Sequence, residues 1–398
     1  MDLFYRLYGL LHRLAKYIIS RGKYEKGAKI YFRNIIKLGV SHDNAKHNWM
    51  QFIKSSFIQD DHKFAGCLYA GYVAEKNEWI LPSWIWTNAA SVRALCSNNE
   101  LTLAIEIAEE LLKRQENCGG WVVRNDYDYQ GEIPMLAPND SAYIANNAFV
   151  ELFLATKEQR YLDAAVRCAD WIMETSRPDG MVYVGYNMRN KNWDKSCVIV
   201  DVGFTGALFS RLYEISHEQR YYDYLSKFVQ RYIELFYLPA SRGFCTNIGP
   251  NDLPRGGMFS RGQAWALEGL IPAYLILKED NIKNVIKTTI ETILKKQDSD
   301  GGWSGNFTRG FRGSDNKGIP ILAKCIMAWN SIEPDKKYVE SAKRALQWCY
   351  KHTATSGTAR GGIFSYSWEG GIVKDFYTSC AFVYASAYAI ELEQMLKQ

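Results

Sequence analysis

The chain has 398 residues, 47% hydrophobic and 14% aromatic, with only ten prolines and no low-complexity tract. That is ample for a large core in one or two domains and leaves no disordered linker. Nine cysteines stand as singletons without a C-x-x-C pair, and six histidines are widely spaced. This pattern excludes a disulfide frame and a zinc site, implies reduced thiols in a cytoplasmic compartment, and points to no metal and no cofactor.

The net charge of +5 is unevenly placed. Residues 1–40 hold nine Lys/Arg against two Asp/Glu, whereas the remainder holds 39 against 41. The main body is therefore near neutral and gives no reason to expect a nucleic-acid partner. Within the extension, Leu3, Leu7, Leu11, Leu14 and Ile18 fall on helical spacing, interrupted by Arg6, Arg13, Lys16 and Arg21. That reads as a basic amphipathic helix. It is too charged to span a membrane or to act as a signal peptide. Either it packs on the domain, or residues 1–22 make a peripheral contact with a membrane or a protein. The expected division is a helical extension over 1–40 and a single catalytic domain over 41–398.

From residue 86 onward the chain repeats. Glycine turns recur at Gly119, Gly180, Gly243, Gly301 and Gly361, in steps of 61, 63, 58 and 60 residues. A fixed period of this length signals stacked supersecondary units. Each unit contains two helical stretches. Those over 100–115, 157–176, 218–238, 281–297 and 336–353 alternate polar and apolar residues on a 3.6 period, as half-exposed outer helices do. The stretches before them, such as "DSAYIANNAFVELFLAT" (140–156) and "DVGFTGALFSRLYEI" (201–215), are small and aromatic on nearly every face, as inner helices buried all round should be. Inner helices are expected to start near 86, 140, 201, 262, 315 and 375. The last needs a partner from residues 48–76. Six hairpins closing N-terminus to C-terminus make an all-α (α/α)6 barrel, a six-hairpin toroid, with short β pieces confined to loops such as "GMVYVGY" (180–186).

The inner-helix starts carry the chemistry. They read Trp86-Thr87-Asn88, Asn139-Asp140, Val200-Asp201, Arg261-Gly262-Gln263, Ser314-Asp315-Asn316 and Lys374-Asp375. In a toroid these groups converge on one mouth. Aromatic faces for apolar ring faces, amides for hydroxyls and carboxylates for proton transfer suit an oligosaccharide. Asp, Asn and Ser are also the favoured N-caps, and capping is the simpler reading of Asp315 and Asp375. Asp201 follows the apolar run "CVIV", so burial should raise its pKa into a useful range; for Asp140 a cap and a substrate role can coexist. Arg261, permanently charged and forked, fits an anionic sugar or one of the ring carboxylates.

"FSRGQAWALEGL" (259–270) resembles the R-G-Q-x-W segment of the unsaturated glucuronyl and rhamnogalacturonyl hydrolases, glycoside hydrolase families 88 and 105. "NDSAYIANNAFVELFLAT" (139–156), "VIVDVGFTGALF" (198–209) and "WTNAASVRAL" (86–95) resemble further segments of that family in the same order, over residues 80 to 395. The resemblance implies Asp201 as the general acid/base and Asp140 as its partner. Trp86, Asn88, Asn139, Phe259, Arg261, Gln263 and Trp265 would contact the sugar. It also implies hydration of the C4=C5 bond of a 4,5-unsaturated uronic acid without a metal. Two positions depart from the family pattern: Asn139 stands at its usual histidine, and Phe259 at a common tryptophan. Other readings are an inverting hydrolase or epimerase on the same toroid and a non-catalytic relative in a glycan-synthesis system. "QENCGGW" (115–121) and "QDSDGGW" (297–303) also fit the Q-x-x-x-G-x-W repeat of triterpene cyclases, although no D-x-D-D motif accompanies them.

Overall fold

The computed structural model describes residues 36–59, 62, 64–74, 76–81, 85–124, 134–308, 311–365 and 380–397. Among these the helices pair as hairpins. The outer helices are α1 (His42–Ser55), α3 (Leu101–Lys113), α5 (Gln159–Thr175), α7 (Gln219–Phe236), α9 (Asp280–Lys295) and α11 (Lys336–His352). The inner helices are α2 (Trp86–Cys96), α4 (138–156, with a π-helical stretch Ala145–Val150), α6 (200–216, opening with a 3₁₀ turn Val200–Gly203), α8 (Ser260–Leu277), α10 (Gly318–Asn330) and α12 (Val383–Lys397). Inner helices pack on inner neighbours around the ring, and α12 packs on both α1 and α2, closing it. The fold is an (α/α)6 toroid.

Two kinds of connection alternate. From each inner helix to its outer partner the turn is short. Lys157, His217 and Lys278 each end an inner helix in the left-handed conformation, and the outer helix starts two residues later. From each outer helix to the next inner one the loop is long and carries the strands. All inner-helix N-termini therefore open among the strand-bearing loops. These loops form small antiparallel sheets, among them Val122–Arg124, Pro134–Leu136, Gly185–Asn187 and Asn192–Asp194 side by side. Another aligns Gly71 with Phe382 and Val73 with Cys380, joining the first long loop to the last.

The sixty-residue period has a mechanical origin. At Gly119, Gly301 and Gly361 φ is positive, and a Cβ would lie 2.3 Å from Arg167 O, 2.3 Å from Arg344 O and 1.7 Å from Asn48 O. Each turn thus presses on the backbone of the next outer helix, where only glycine fits. The Q-x-x-x-G-x-W segments serve the same joint. Gln115 Nε2 donates to Gly119 O (2.8 Å) and Ala164 O (2.9 Å), and Trp121 Nε1 to Leu111 O (2.7 Å). Gln297 and Trp303 repeat the arrangement, with bonds to Gly301 O, Ser341 O and Ile293 O. The motif staples a turn between consecutive outer helices.

Three boundaries differ from the sequence reading. The fifth inner helix starts at Gly318, three residues after 315. The sixth starts at Val383, because Cys380–Phe382 is drawn into the sheet with Gly71–Val73; Lys374 and Asp375 lie outside the described residues. The outer partner of α12 is α1, which begins at His42, ahead of the expected range 48–76, and ends within it at Ser55. Residues 1–35 lie outside the described residues. Residues 36–40, counted with the extension, already lie on the toroid: Gly39 N donates to Thr353 O (2.9 Å) and Val40 N to Tyr350 O (3.0 Å).

Candidate active site

Asp140 and Asp201 come together at the strand-bearing mouth, from consecutive inner helices. Neither caps its helix; the starts of α4 and α6 have no side-chain cap. Asn139 Nδ2 donates to Asp201 Oδ2 at 2.9 Å. Burial lifts the Asp201 carboxyl to about 6, against the opposing pull of that hydrogen bond and of the backbone N–H groups of Asp201 and Val202. Burial, and then the charge of Asp201, hold Asp140 well above the ordinary carboxylate range. Both residues are enclosed by protein yet keep part of their surface accessible. Asp201 Oδ1 and Asn139 Oδ1 are buried and have no hydrogen-bond partner among the described residues. Two acceptors thus stand ready for a donor that the protein does not supply.

Arg261, 8% exposed, lies between two rings, 4.6 Å from the centre of Phe259 and 5.5 Å from that of Trp265. Its Nε is 3.1 Å from Asp315 Oδ2, and Nη1 donates to Tyr384 Oη at 3.3 Å. Of the two roles expected for this arginine, the ring-carboxylate contact is made within the protein. Asp315 also accepts from Lys317 N (3.2 Å), so the expected local helix-start bond coexists with the ion pair. The buried Lys317 amine, 4.0 Å from the centre of the Phe382 ring, is pushed well below its usual range by burial and then by the charge of Arg261.

Beneath these groups runs a belt of rings. Trp86 meets Tyr143 (5.3 Å) and Tyr384 (5.4 Å), Tyr143 meets Phe204 (4.6 Å), Phe204 meets Trp265 (6.2 Å), and Trp265 meets Phe259 (5.8 Å). Trp86, Trp265 and Phe259 are half-buried, with faces left for a ligand.

Two expected sugar-contacting amides serve the scaffold instead. Asn88 is fully buried, accepts from Leu68 N (2.6 Å) and donates to Ile85 O (3.2 Å). Gln263 accepts from Phe244 N (2.7 Å) and donates to Phe244 O (2.8 Å) and Phe259 O (3.1 Å). Asn316 does likewise, donating to Ile363 O (2.6 Å) and Cys380 O (2.8 Å). These amides sew the long loops to the helix starts. Sequence reasoning missed Tyr143, Phe204, Lys317 and Tyr384. The first two carried a signal: they follow Asp140 and Asp201 by three residues, as Trp265 follows Arg261 by four, and so share a helix face with them. Among the described residues no group of three His, Cys, Asp or Glu is arranged for a metal ion.

No family model and no curated protein matches the chain in sequence. Solved structures match it in fold. An unsaturated glucuronyl hydrolase responsible for glycosaminoglycan degradation, from Bacillus sp. GL1, superposes with a TM-score of 0.69 at 15% identity, over 89% of this chain and 97% of that one. A possible family 105 glycoside hydrolase from Salmonella enterica gives 0.64 at 14% identity, over 90% and 95%. An inactive variant of a family 76 α-1,6-mannanase from Salegentibacter sp. HEL1_6, in complex with α-1,6-mannotriose, gives 0.63 at 13% identity, over 88% and 98%. At these identities the likeness is one of fold.

Proposed function

We propose that the protein is a glycoside hydrolase acting on oligosaccharides that end in a 4,5-unsaturated uronic acid. The observation that carries this reading is the Asp140–Asn139–Asp201 cluster, with its raised carboxyls and unpartnered oxygens, set beside Arg261 and half-buried rings. The ordered resemblance of the helix starts to families 88 and 105 supports the particular substrate. Asp201, protonated, gives its proton to C4. Water adds to C5, and its proton passes to the resulting Asp201 carboxylate. The hemiketal then opens and releases the aglycone. The bond from Asn139 fixes Oδ2 and leaves Oδ1 as the oxygen without a side-chain partner. Asp140, whose own carboxyl is raised by burial and by the charge of Asp201, holds ring hydroxyls. Trp86, Phe259 and Trp265 offer faces to the sugar, and Arg261 is available to an acidic one.

The test is loss of the ultraviolet absorbance of the conjugated uronate, followed on oligosaccharides made by polysaccharide lyases. The expected result is a loss that tracks enzyme concentration and falls as pH rises through about 6, where Asp201 loses its proton. A paired carboxylate site also suits conventional hydrolysis by two carboxylates. Equal rates on saturated neutral glycosides would establish that route and overturn hydration. The proposal extends to the basic segment 1–22, read as a peripheral contact with an anionic membrane surface.

A further inference from the structure

Seven residues after a mouth position, five of the six inner helices place a second polar side chain. Arg93 follows Trp86, Asn147 follows Asp140, Glu268 follows Arg261, Lys324 follows Lys317, and Glu391 follows Tyr384. Two helical turns set this layer about 10 Å further along the toroid axis. Its members are joined. Arg93 Nη2 donates to Glu391 Oε2 (2.9 Å), Lys324 Nζ lies 2.7 Å from the same oxygen, and Arg93 also bonds Asn147 Oδ1. Tyr388 Oη donates to Glu268 Oε1 (2.6 Å) and lies 2.7 Å from Tyr143 Oη.

Beside this network lies a cavity of about 150 Å³, with Phe204, Ala207, Leu267 and Ile271 among its walls. Tyr143 and Phe204, members of the aromatic belt, line it and separate it from the Asp140–Asp201 mouth. Two further lining residues carry buried acceptors that no described residue satisfies: Glu268 Oε2 and Asn146 Oδ1. The π-helical stretch of α4 explains how the consecutive residues Asn146 and Asn147 both line the cavity, since its wider turn departs from α-helical spacing.

The chemistry of the lining selects the ligand. Its cations are already met: Arg93 and Lys324 by Glu391, and Arg211 by Glu151 (3.3 Å) and Glu214 (3.1 Å). An anion gains no uncommitted cation here, and an ammonium ion would meet the Glu268 carboxylate but also three lining cations, which a neutral donor avoids. The unmet groups are acceptors, so the ligand must donate hydrogen bonds. The walls are mostly apolar, so it must carry a carbon skeleton. An apolar cavity of about 150 Å³ in another protein takes up benzene, and glycerol has as many heavy atoms as benzene. We infer that this cavity is a second ligand site, for a small neutral polyol of three or four carbons, whose hydroxyls bond Glu268 Oε2 and Asn146 Oδ1.

The site is independent of the reaction at the mouth, and so is its test. Binding of glycerol and erythritol to the full chain is followed by ligand-detected saturation-transfer NMR, with sorbitol as a polyol too large for the cavity. A saturable signal is expected from glycerol or erythritol and none from sorbitol. Ala328→Phe fills the cavity and should abolish the signal. Glu268→Gln converts one acceptor oxygen into an amide and should weaken binding about tenfold. Asp201→Asn, at the opposite mouth, should leave binding unchanged. The inference is overturned by any of three results: no saturable signal from the wild type, a signal that survives in folded Ala328→Phe, or a signal lost in Asp201→Asn. Should Ala328→Phe fail to fold, Glu268→Gln decides, and unchanged binding there overturns it.

Discussion

At the scale of single residues, the mouth holds groups that are unfavourable for stability. Asp201 titrates near 6 in the folded chain, against 3.8 for an unperturbed aspartate. Between these values the folded state binds more protons than the unfolded state, so stability falls as pH rises through that window, and the deficit persists at neutral pH. Asp201→Asn removes the penalty. It should raise the melting temperature at about pH 7.5 and do so much less at about pH 4.5, while lowering turnover by about 10² to 10⁴. A variant destabilised at neutral pH would show that the carboxylate is held by favourable contacts, and the proton-transfer role would lose its basis. Arg261→Lys tests the neighbouring pair. Lysine keeps the charge but cannot hold Asp315 and Tyr384 with a planar fork between two rings. Disrupting a buried ion pair costs up to about 3–5 kcal/mol when one partner is left alone. Partial loss of stability, with a large loss of activity on acidic oligosaccharides, is expected by thermal denaturation and absorbance assay. Activity equal to wild type would remove Arg261 from the site.

At the scale of elements, the mouth depends on how closely α6 and α8 approach. A Cβ on Gly269 would lie 2.0 Å from Gly203 O, and one on Gly206 would lie 3.1 Å from Gly269 O. These glycines let two inner-helix backbones touch, which sets the separation of Asp201 from Arg261. Gly269→Ala should therefore cost at least about 1–3 kcal/mol in chemical denaturation and reduce activity as well. Leu275→Ala, at an exposed position of the same helix, should change stability by less than about 0.5 kcal/mol. Equal effects would mean that the glycine contact does not govern the site. What was legible in the sequence follows the same division. Hairpins were legible because an amphipathic outer helix and a glycine turn are local patterns, and five of them lie in an unbroken series. The start of α12 was not, because the strand pairing of Cys380–Phe382 is decided by Gly71–Val73, some three hundred residues away. That displacement hid Tyr384, which the true boundary places in the first turn of α12. The carboxylates were legible from the apolar run before Asp201 and from their place at helix starts. The scaffold role of Asn88 and Gln263 was not, since an amide looks the same in sequence whether it meets a backbone or a sugar.

At the scale of the whole molecule, the ring is closed by residues near the beginning of the chain. Trp49 on α1 is fully buried, stacks 5.6 Å from Tyr350 and donates from Nε1 to Thr353 Oγ1 at 2.9 Å. Leu38 pairs with Ala354, and Gly361 packs on the backbone at Asn48. Removal of residues 1–55 would strip α12 of its outer partner and expose the buried apolar side chains of an inner helix, so a single cooperative unfolding transition should disappear. Removal of residues 1–22 takes away none of these contacts. That segment carries Arg6, Arg13, Lys16 and Arg21 against Asp2, and basic residues at an anionic bilayer contribute about 1 kcal/mol each. The shorter truncation should therefore keep the melting transition of the full chain. It should also lose affinity for vesicles containing phosphatidylserine, while behaving like the full chain towards purely zwitterionic vesicles. The difference should shrink as salt is added, because the attraction is screened within about a Debye length. Two outcomes would end the membrane reading. If the 1–22 truncation unfolds, the segment is a structural part of the toroid. If it binds anionic vesicles as well as the full chain, the basic segment is not what binds them.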